Sequence, residues 1–358
     1  MSGPLRWRNF VFAAFSLTIA FGLIAVGAAQ AQQIDPGELQ ALREFLGPAS
    51  RVHERRSHEL LADRDVVGTA VGLTAMGEPA IKVFTKSEAI MRIPQKLEGV
   101  MVEIEVTGTF HALGAADAEA SPANTVGGPV SPAKTFPRPV PIGVSTGNQV
   151  DCSAGTIGAR VRDSQGNVYA LSNNHVYALE NTAEANSSIV QPGLADVRCR
   201  VKSGNVIGTL NSYVPIEFSE TATNTVDAAI ALSDVSLLGN ATPRGGYGTP
   251  QSSTVPAFVG QRVQKYGERT RLTRGRVIGI DATVLVEYDS GEARFINQII
   301  VGSPAAFIRA GDSGSLLVTR PDKHPVGLLF AGTKNGRTAI ANPIDAVLAS
   351  FGVSIDGQ

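Results

Sequence analysis

Cysteine, tryptophan and charge are all scarce in this chain of 358 residues, and each shortage excludes something. The two cysteines, Cys152 and Cys199, make no CxxC pair, so dithiol redox chemistry is excluded. No HExxH and no paired Cys/His spacing occurs, and the glycines of GTAVG fall short of a dinucleotide fingerprint; no metal or cofactor is expected. Lys and Arg number 31 against 32 Asp and Glu, and only 18% of residues are charged, which argues against a nucleic-acid partner held by bulk charge. The basic run RVQKYGERTRLTRGR reads as the solvated face of a hairpin, because its charges alternate along a strand.

Glycine and proline are plentiful, 38 and 20 residues, beside many Val, Ile and Thr. That mixture favours a turn-rich β architecture, and the length suggests two folded units with additions. The N-terminus carries Arg6 and Arg8, an apolar stretch from Phe10 to Val26, then Ala29-Gln30-Ala31. These are the parts of a secretory signal, with cleavage after Ala31 and a periplasmic or secreted destination. An uncleaved anchor is the alternative, since the apolar stretch approaches the roughly 20 residues of a span; after cleavage no stable membrane span is expected. Export places Cys152 and Cys199 where a disulfide persists, worth about 4 kcal/mol in the chain-entropy model. Two buried thiols, or one reactive cysteine, are the other readings.

Residues 32–110 read as a small α+β module, a candidate pro-segment. Leucines at loosely helical spacing between residues 37 and 62 are interrupted by Gly47 and Pro48, which predicts two short helices or one kinked helix. VVGTAVGL, AIKVFTK and GVMVEIEVTG are strand candidates. From 111 to 150 the composition turns to Pro, Gly, Ala and Ser without periodicity, which predicts an extended, mobile linker open to proteolytic nicking. From 151 to 358 about ten short strand candidates recur between turn signals, followed by a helix over Pro343 to Phe351.

The stretch AGDSGSLLV contains the strongest chemical signal. Gly311, Asp312, Ser313, Gly314 and Ser315 would make an ordinary turn, or a nucleophile whose small neighbours admit a substrate. A serine nucleophile needs a base and a group to orient it. Of five histidines, His53 and His58 fall on the polar N-terminal helix with a surface role expected, His111 opens the linker and His324 sits in a PDKHP turn. His175 follows a strand in ALSNNHVYA, fixed by a sheet at a loop junction. Asp227, in TVDAAIAL, is a carboxylate among apolar strand residues and therefore needs a partner.

The order SNNHV, VDAAIAL, AGDSGSLLV resembles the trypsin-like serine peptidases of the chymotrypsin fold, bacterial type. KYGERTRLTRG is similar to the G-x-x-T-x-x-T-x-G hairpin of bacterial members, and VGLLFAGT to the strand lining their cleft. The resemblance covers roughly residues 150–350. It implies a mainly β, two-barrel fold, with His175 and Asp227 in the first barrel and Ser313 in the second. It further implies a His175, Asp227, Ser313 triad, with the amides of Gly311 and Ser313 forming the oxyanion hole. Several departures stand out. Asn173 and Asn174 replace a small pair, Val176 replaces a cysteine, and no Ile-Val-Gly-Gly sequence occurs, so an arginine among Arg269, Arg271 and Arg274 is expected to partner Asp312. By resemblance the cleft base lies near Phe307 and Phe330 to Gly332, without an acidic floor, which implies apolar or small preferred residues.

The expected function is an exported serine endopeptidase acting on protein or peptide substrates, with intramolecular inhibition by the N-terminal module. The competing expectation is a non-catalytic binding or scaffold protein that keeps the fold. An esterase ranks lower, because the chain lacks the G-x-S-x-G elbow.

Overall fold

The computed structural model describes residues 34–88, 93–113 and 130–358. The expected signal lies outside these residues, and among them no helix is long and apolar enough to cross a membrane.

Two sheets organise the described chain. The first has eight strands in the order Val353–Ile355, Ala159–Asp163, Val168–Ser172, Ala229–Ser233, Val206–Tyr213, Ser188–Val190, Ser145–Asn148, Gly155–Thr156. Apolar residues from these strands, including Ala170, Ile189, Leu210 and Ala231, and Val144 and Ile157 at strand ends, fill its interior. The second sheet closes on itself through Arg262–Gly267, Leu316–Thr319, Pro325–Thr333, Thr338–Pro343, Gly291–Gly302 and Arg271–Tyr288, because the last strand pairs back with the first. A second apolar cluster, with Leu171 and Ile230 from one sheet and Leu316 and Leu328 from the other, glues the two together. Helix Ile344–Phe351 packs Val347 and Leu348 into that seam and ends at Gly352, whose φ is 63°.

The N-terminal module is continuous with the second sheet. Strand Val66–Leu73 pairs antiparallel with Arg271–Tyr288, matching Gly68 with Val284. Pro79–Thr85 and Val100–Val106 extend the sheet outward. Helix Pro36–Leu61 lies across this extension and is opened by a capping box of Asp35 and Glu38. It runs through Pro48 as one helix. Leu46 and Ala49 flank that proline and are buried with Val71 and Val259. Tertiary packing therefore holds the turn whose backbone bond Pro48 cannot make. His53 also departs from expectation: it is buried, with Nε2 2.9 Å from Thr69 Oγ1, and burial lowers its pKa from 6.5 to about 4.

The segment expected as a mobile linker is largely built into the fold. His111 and Ala112 belong to strand Phe110–Ala112, and Val140, Ile142 and Val144 are core residues of the first sheet. Gln191 fastens the segment by accepting from Phe136 N–H at 3.0 Å and donating to Lys134 O at 2.8 Å. Only residues 114–129 of the expected linker lie outside the described residues. Pro- and Gly-rich composition misled here because a chain that crosses a barrel wall irregularly needs no periodicity. Three apolar residues spaced by two still mark its buried side.

Candidate active site

His175 sits in the one-turn helix Asn174–Tyr177, directly after strand Val168–Ser172. Its Nδ1 lies 2.5 Å from Asp227 Oδ2, and its backbone N–H donates to Asp227 Oδ1 at 3.3 Å. Asp227 is fully buried and accepts a third bond from Tyr288 Oη at 3.0 Å. Burial, together with that carboxylate, raises the Tyr288 hydroxyl well above its usual range, so it stays a donor. The Tyr288 ring meets the imidazole edge to face, with centroids 5.9 Å apart. Imidazole tilt and carboxylate position are thereby fixed from two sides.

The two asparagines before His175 explain why small residues are not required there. Asn173 Nδ2 donates to Asp227 O at 2.7 Å. Asn174 Nδ2 reaches Asn181 Oδ1 and Val214 O at 2.8 and 2.7 Å, tying the helix to the next loop. Asn342 Oδ1 accepts the amide of Asp227 at 3.1 Å, and its own Nδ2 donates to Gln298. Side-chain amides thus satisfy a buried polar loop whose groups would otherwise be costly.

Ser313 lies in the turn before strand Leu316–Thr319. Gly311 has φ 99° and Gly314 φ 89°, angles that L side chains rarely adopt. A Cβ on Gly311 would stand 2.2 Å from Glu268 Oε2, and one on Gly314 2.3 Å from Thr156 O. Thr156 in the first sheet clamps this turn: its N–H donates to Ser313 O at 2.7 Å and its Oγ1 to Gly311 O at 2.8 Å. The two sheets therefore meet at the expected nucleophile.

Asp312 is fully buried, and its cation is Lys265, with Nζ 3.1 Å from Oδ2 and equally buried. Asp312 also accepts from the amides of Arg269, Thr270 and Arg309 and from Thr270 Oγ1 at 2.7 Å. The expected arginine is corrected to a lysine on the neighbouring strand, while Arg269 offers Asp312 its backbone. A compact ammonium suits a site already crowded by three amides and a hydroxyl. Glu268, buried behind Gly311, has its pKa raised by burial and by Asp196 nearby, which favours the protonated form at neutral pH.

The structure brings His175 and Asp227 together and sets Ser313 on the facing sheet, but it does not join Ser313 to His175 by a hydrogen bond. Ser313 Oγ donates to Phe330 O at 3.2 Å, and His175 Nε2 has no hydrogen-bond partner. Ser313 is 0% and His175 8% exposed, so the site is covered. The Gly311 N–H donates to the carbonyl of Leu113 at 3.1 Å. The cysteines Cys152 and Cys199 form a disulfide with Cα atoms 5.2 Å apart. Sequence reasoning missed Tyr288, Asn342 and Lys265. Lys265 lies within the hairpin motif, and its flanking by strand residues was the available signal.

No protein-family model matches the chain. Serine protease 2 of Streptomyces fradiae is 29% identical over 188 residues, 51% of this chain and 89% of that protein. Among solved structures, Thermobifida fusca Protease A has a TM-score of 0.44 at 18% identity, covering 61% of this chain and 100% of that one. The Nocardiopsis protease has a TM-score of 0.43 at 16% identity, covering 60% and 99%. Over those 188 residues the chain is thus similar in sequence to a bacterial serine protease, and the chain carries the His175, Asp227 and Ser313 motifs in that order.

Proposed function

We propose that the chain is an exported serine endopeptidase acting through His175, Asp227 and Ser313, with the N-terminal module holding it latent. The observation that carries this reading is the His175–Asp227 pair: a buried carboxylate fixes the imidazole through Nδ1 and leaves Nε2 unpartnered. A neutral imidazole held in that tautomer can accept a proton only at Nε2. Release of Ser313 Oγ from the Phe330 carbonyl would free its hydroxyl to donate to that nitrogen. Oγ then attacks a peptide carbonyl, His175 takes the proton and returns it to the leaving amine, and Asp227 stabilises the imidazolium. The amides of Gly311 and Ser313 would receive the oxyanion. Export rests on the N-terminal signal pattern and agrees with the disulfide.

The non-catalytic reading draws support from one observation, the Ser313 hydroxyl turned to Phe330 O. A fluorophosphonate probe separates the two. Label on Ser313 in the chain from residue 32, absent in Ser313→Ala and His175→Ala, is the expected result. A chain that stays unlabelled even after cleavage between residues 114 and 129 would be a binding protein.

A further inference from the structure

Four residues, Phe110 to Leu113, run alongside the strand whose Phe330 carbonyl accepts the Ser313 hydroxyl. Strand Phe110–Ala112 pairs antiparallel with Pro325–Thr333, matching Phe110 with Thr333, His111 with Gly332 and Ala112 with Ala331. Leu113 continues the register: its N–H donates to Phe330 O at 3.4 Å. That same oxygen accepts the Ser313 hydroxyl at 3.2 Å. The Leu113 carbonyl in turn accepts from Gly311 N–H at 3.1 Å. Leu113 is therefore held by both of its backbone polar groups, one on the acceptor of Ser313 and one on the amide beside the nucleophile turn.

The side chains fit the same picture. Leu113 is buried and belongs to the apolar cluster of Phe307, Ile308, Leu329 and Ala339. Phe110 is buried too, its ring 5.9 Å from that of Phe84 in the module and in the cluster of Phe330 and Ala331. His111 Nδ1 lies 3.2 Å from Glu287 on the other flanking strand. The segment lies in a slot between two strands, since Phe110 and His111 also pair with Val286 and Glu287. Beside it, Ser313 has no exposed surface. Two cavities, of about 290 and 360 Å³, lie elsewhere, one lined by Phe136 and the other by Leu46.

We propose that Phe110–Leu113 occupies the acyl side of the substrate cleft, and that the peptide bond following Leu113 is this chain's own cleavage site. The proposal rests on the reading of Ser313 as nucleophile. In the step, Ser313 Oγ bonds to the Leu113 carbonyl carbon, and His175 accepts the hydroxyl proton. The C–N bond to Gly114 breaks, and its nitrogen leaves as an amine carrying that proton. Water then attacks the acyl-serine, giving a Leu113 carboxylate and regenerating the hydroxyl. The substrate class follows from the same contacts: extended segments with a medium aliphatic residue at the cut and a large aromatic three residues before it. An acidic or basic residue at the cut would bring an unpaired charge into an apolar cluster.

The test uses the chain from residue 32, as wild type and Ser313→Ala, followed by intact mass and N-terminal sequencing. In parallel, an acylated Thr-Phe-His-Ala-Leu p-nitroanilide is compared with versions ending in Glu or Lys, and a fluorophosphonate reports the serine. The expected result is a new N-terminus at Gly114 in wild type only, with the Leu substrate hydrolysed more than about tenfold faster than the charged ones. A serine that labels while the chain stays intact, is cut elsewhere, or shows no preference for Leu would overturn the proposal and leave the peptidase reading standing. A serine that never labels, with no hydrolysis of any substrate, would remove both. Leu113→Asp adds a check independent of folding efficiency: any soluble fraction should label faster than wild type and remain uncut at residue 113, and a soluble fraction cut there would contradict the proposal.

Discussion

The two halves of the candidate site hold their key side chains by different physics. On the His175 side, the fixing is done by neutral side chains: Asn173, Asn174, Asn342 and Tyr288 brace the loop around a buried carboxylate with hydrogen bonds. On the Ser313 side it is done by one buried ion pair, Lys265–Asp312, and by glycines in backbone conformations other residues avoid. The difference follows from what each group must do. An imidazole has to keep a tautomer and an angle, which many small bonds define well. A nucleophile turn has to keep amides aimed outward against strain, which requires one strong anchor.

The sharpest way to break the comparison is on the ionic side. Lys265→Met leaves Asp312 buried without its cation, and a loss of about 3–5 kcal/mol in urea-unfolding stability is expected. Combining it with Asp312→Asn should recover part of that loss, since the uncompensated charge is gone; no recovery would mean the pair acts through packing. A perturbation remote from both halves acts on the module instead. The His53 pKa is about 4 in the folded chain against a reference of 6.5. Between those values the unfolded chain binds more protons, so stability is full above pH 6.5 and falls as pH drops toward 4, by about 3 kcal/mol. The wild-type thermal midpoint should decline over that window, and His53→Gln, which can keep a bond to Thr69, should flatten the decline. The smallest effect is expected on the neutral side. Tyr288→Phe removes one of three bonds to Asp227, about 1 kcal/mol, and should lower kcat severalfold with KM unchanged. A raised KM with kcat unchanged would instead place Tyr288 in substrate binding.

These contrasts also mark what the sequence could tell. His175, Asp227 and Ser313 could be picked out because each stands in a short run whose local pattern, strand then polar turn, survives folding. The strands from 151 onward were legible for the same reason. Tyr288 was not, because it meets Asp227 only where the two sheets face each other, 61 residues apart along the chain, and nothing around it differs from any hairpin end. Lys265 was passed over for arginines because sequence gives a charge's position along the strand, not which face of the hairpin enters the core. His53 lies on a helix of polar composition, and only the docking of that helix on Thr69 buries it. The module itself showed its strands but not its attachment. Val66–Leu73 and its partner Arg271–Tyr288 are separated by most of the chain, and their register is set by packing alone.

That attachment has a consequence for the solution behaviour of any shortened chain. Val66–Leu73 and Phe110–Ala112 together cover the backbone of the barrel strand from Gly279 to Glu287. Remove them and a run of amides and carbonyls faces water beside Val284 and Val286, side chains otherwise fully buried. Such a bare, apolar strand edge invites pairing with another copy. A chain that shed its module would therefore be prone to self-association, and its working concentration would be bounded by that edge.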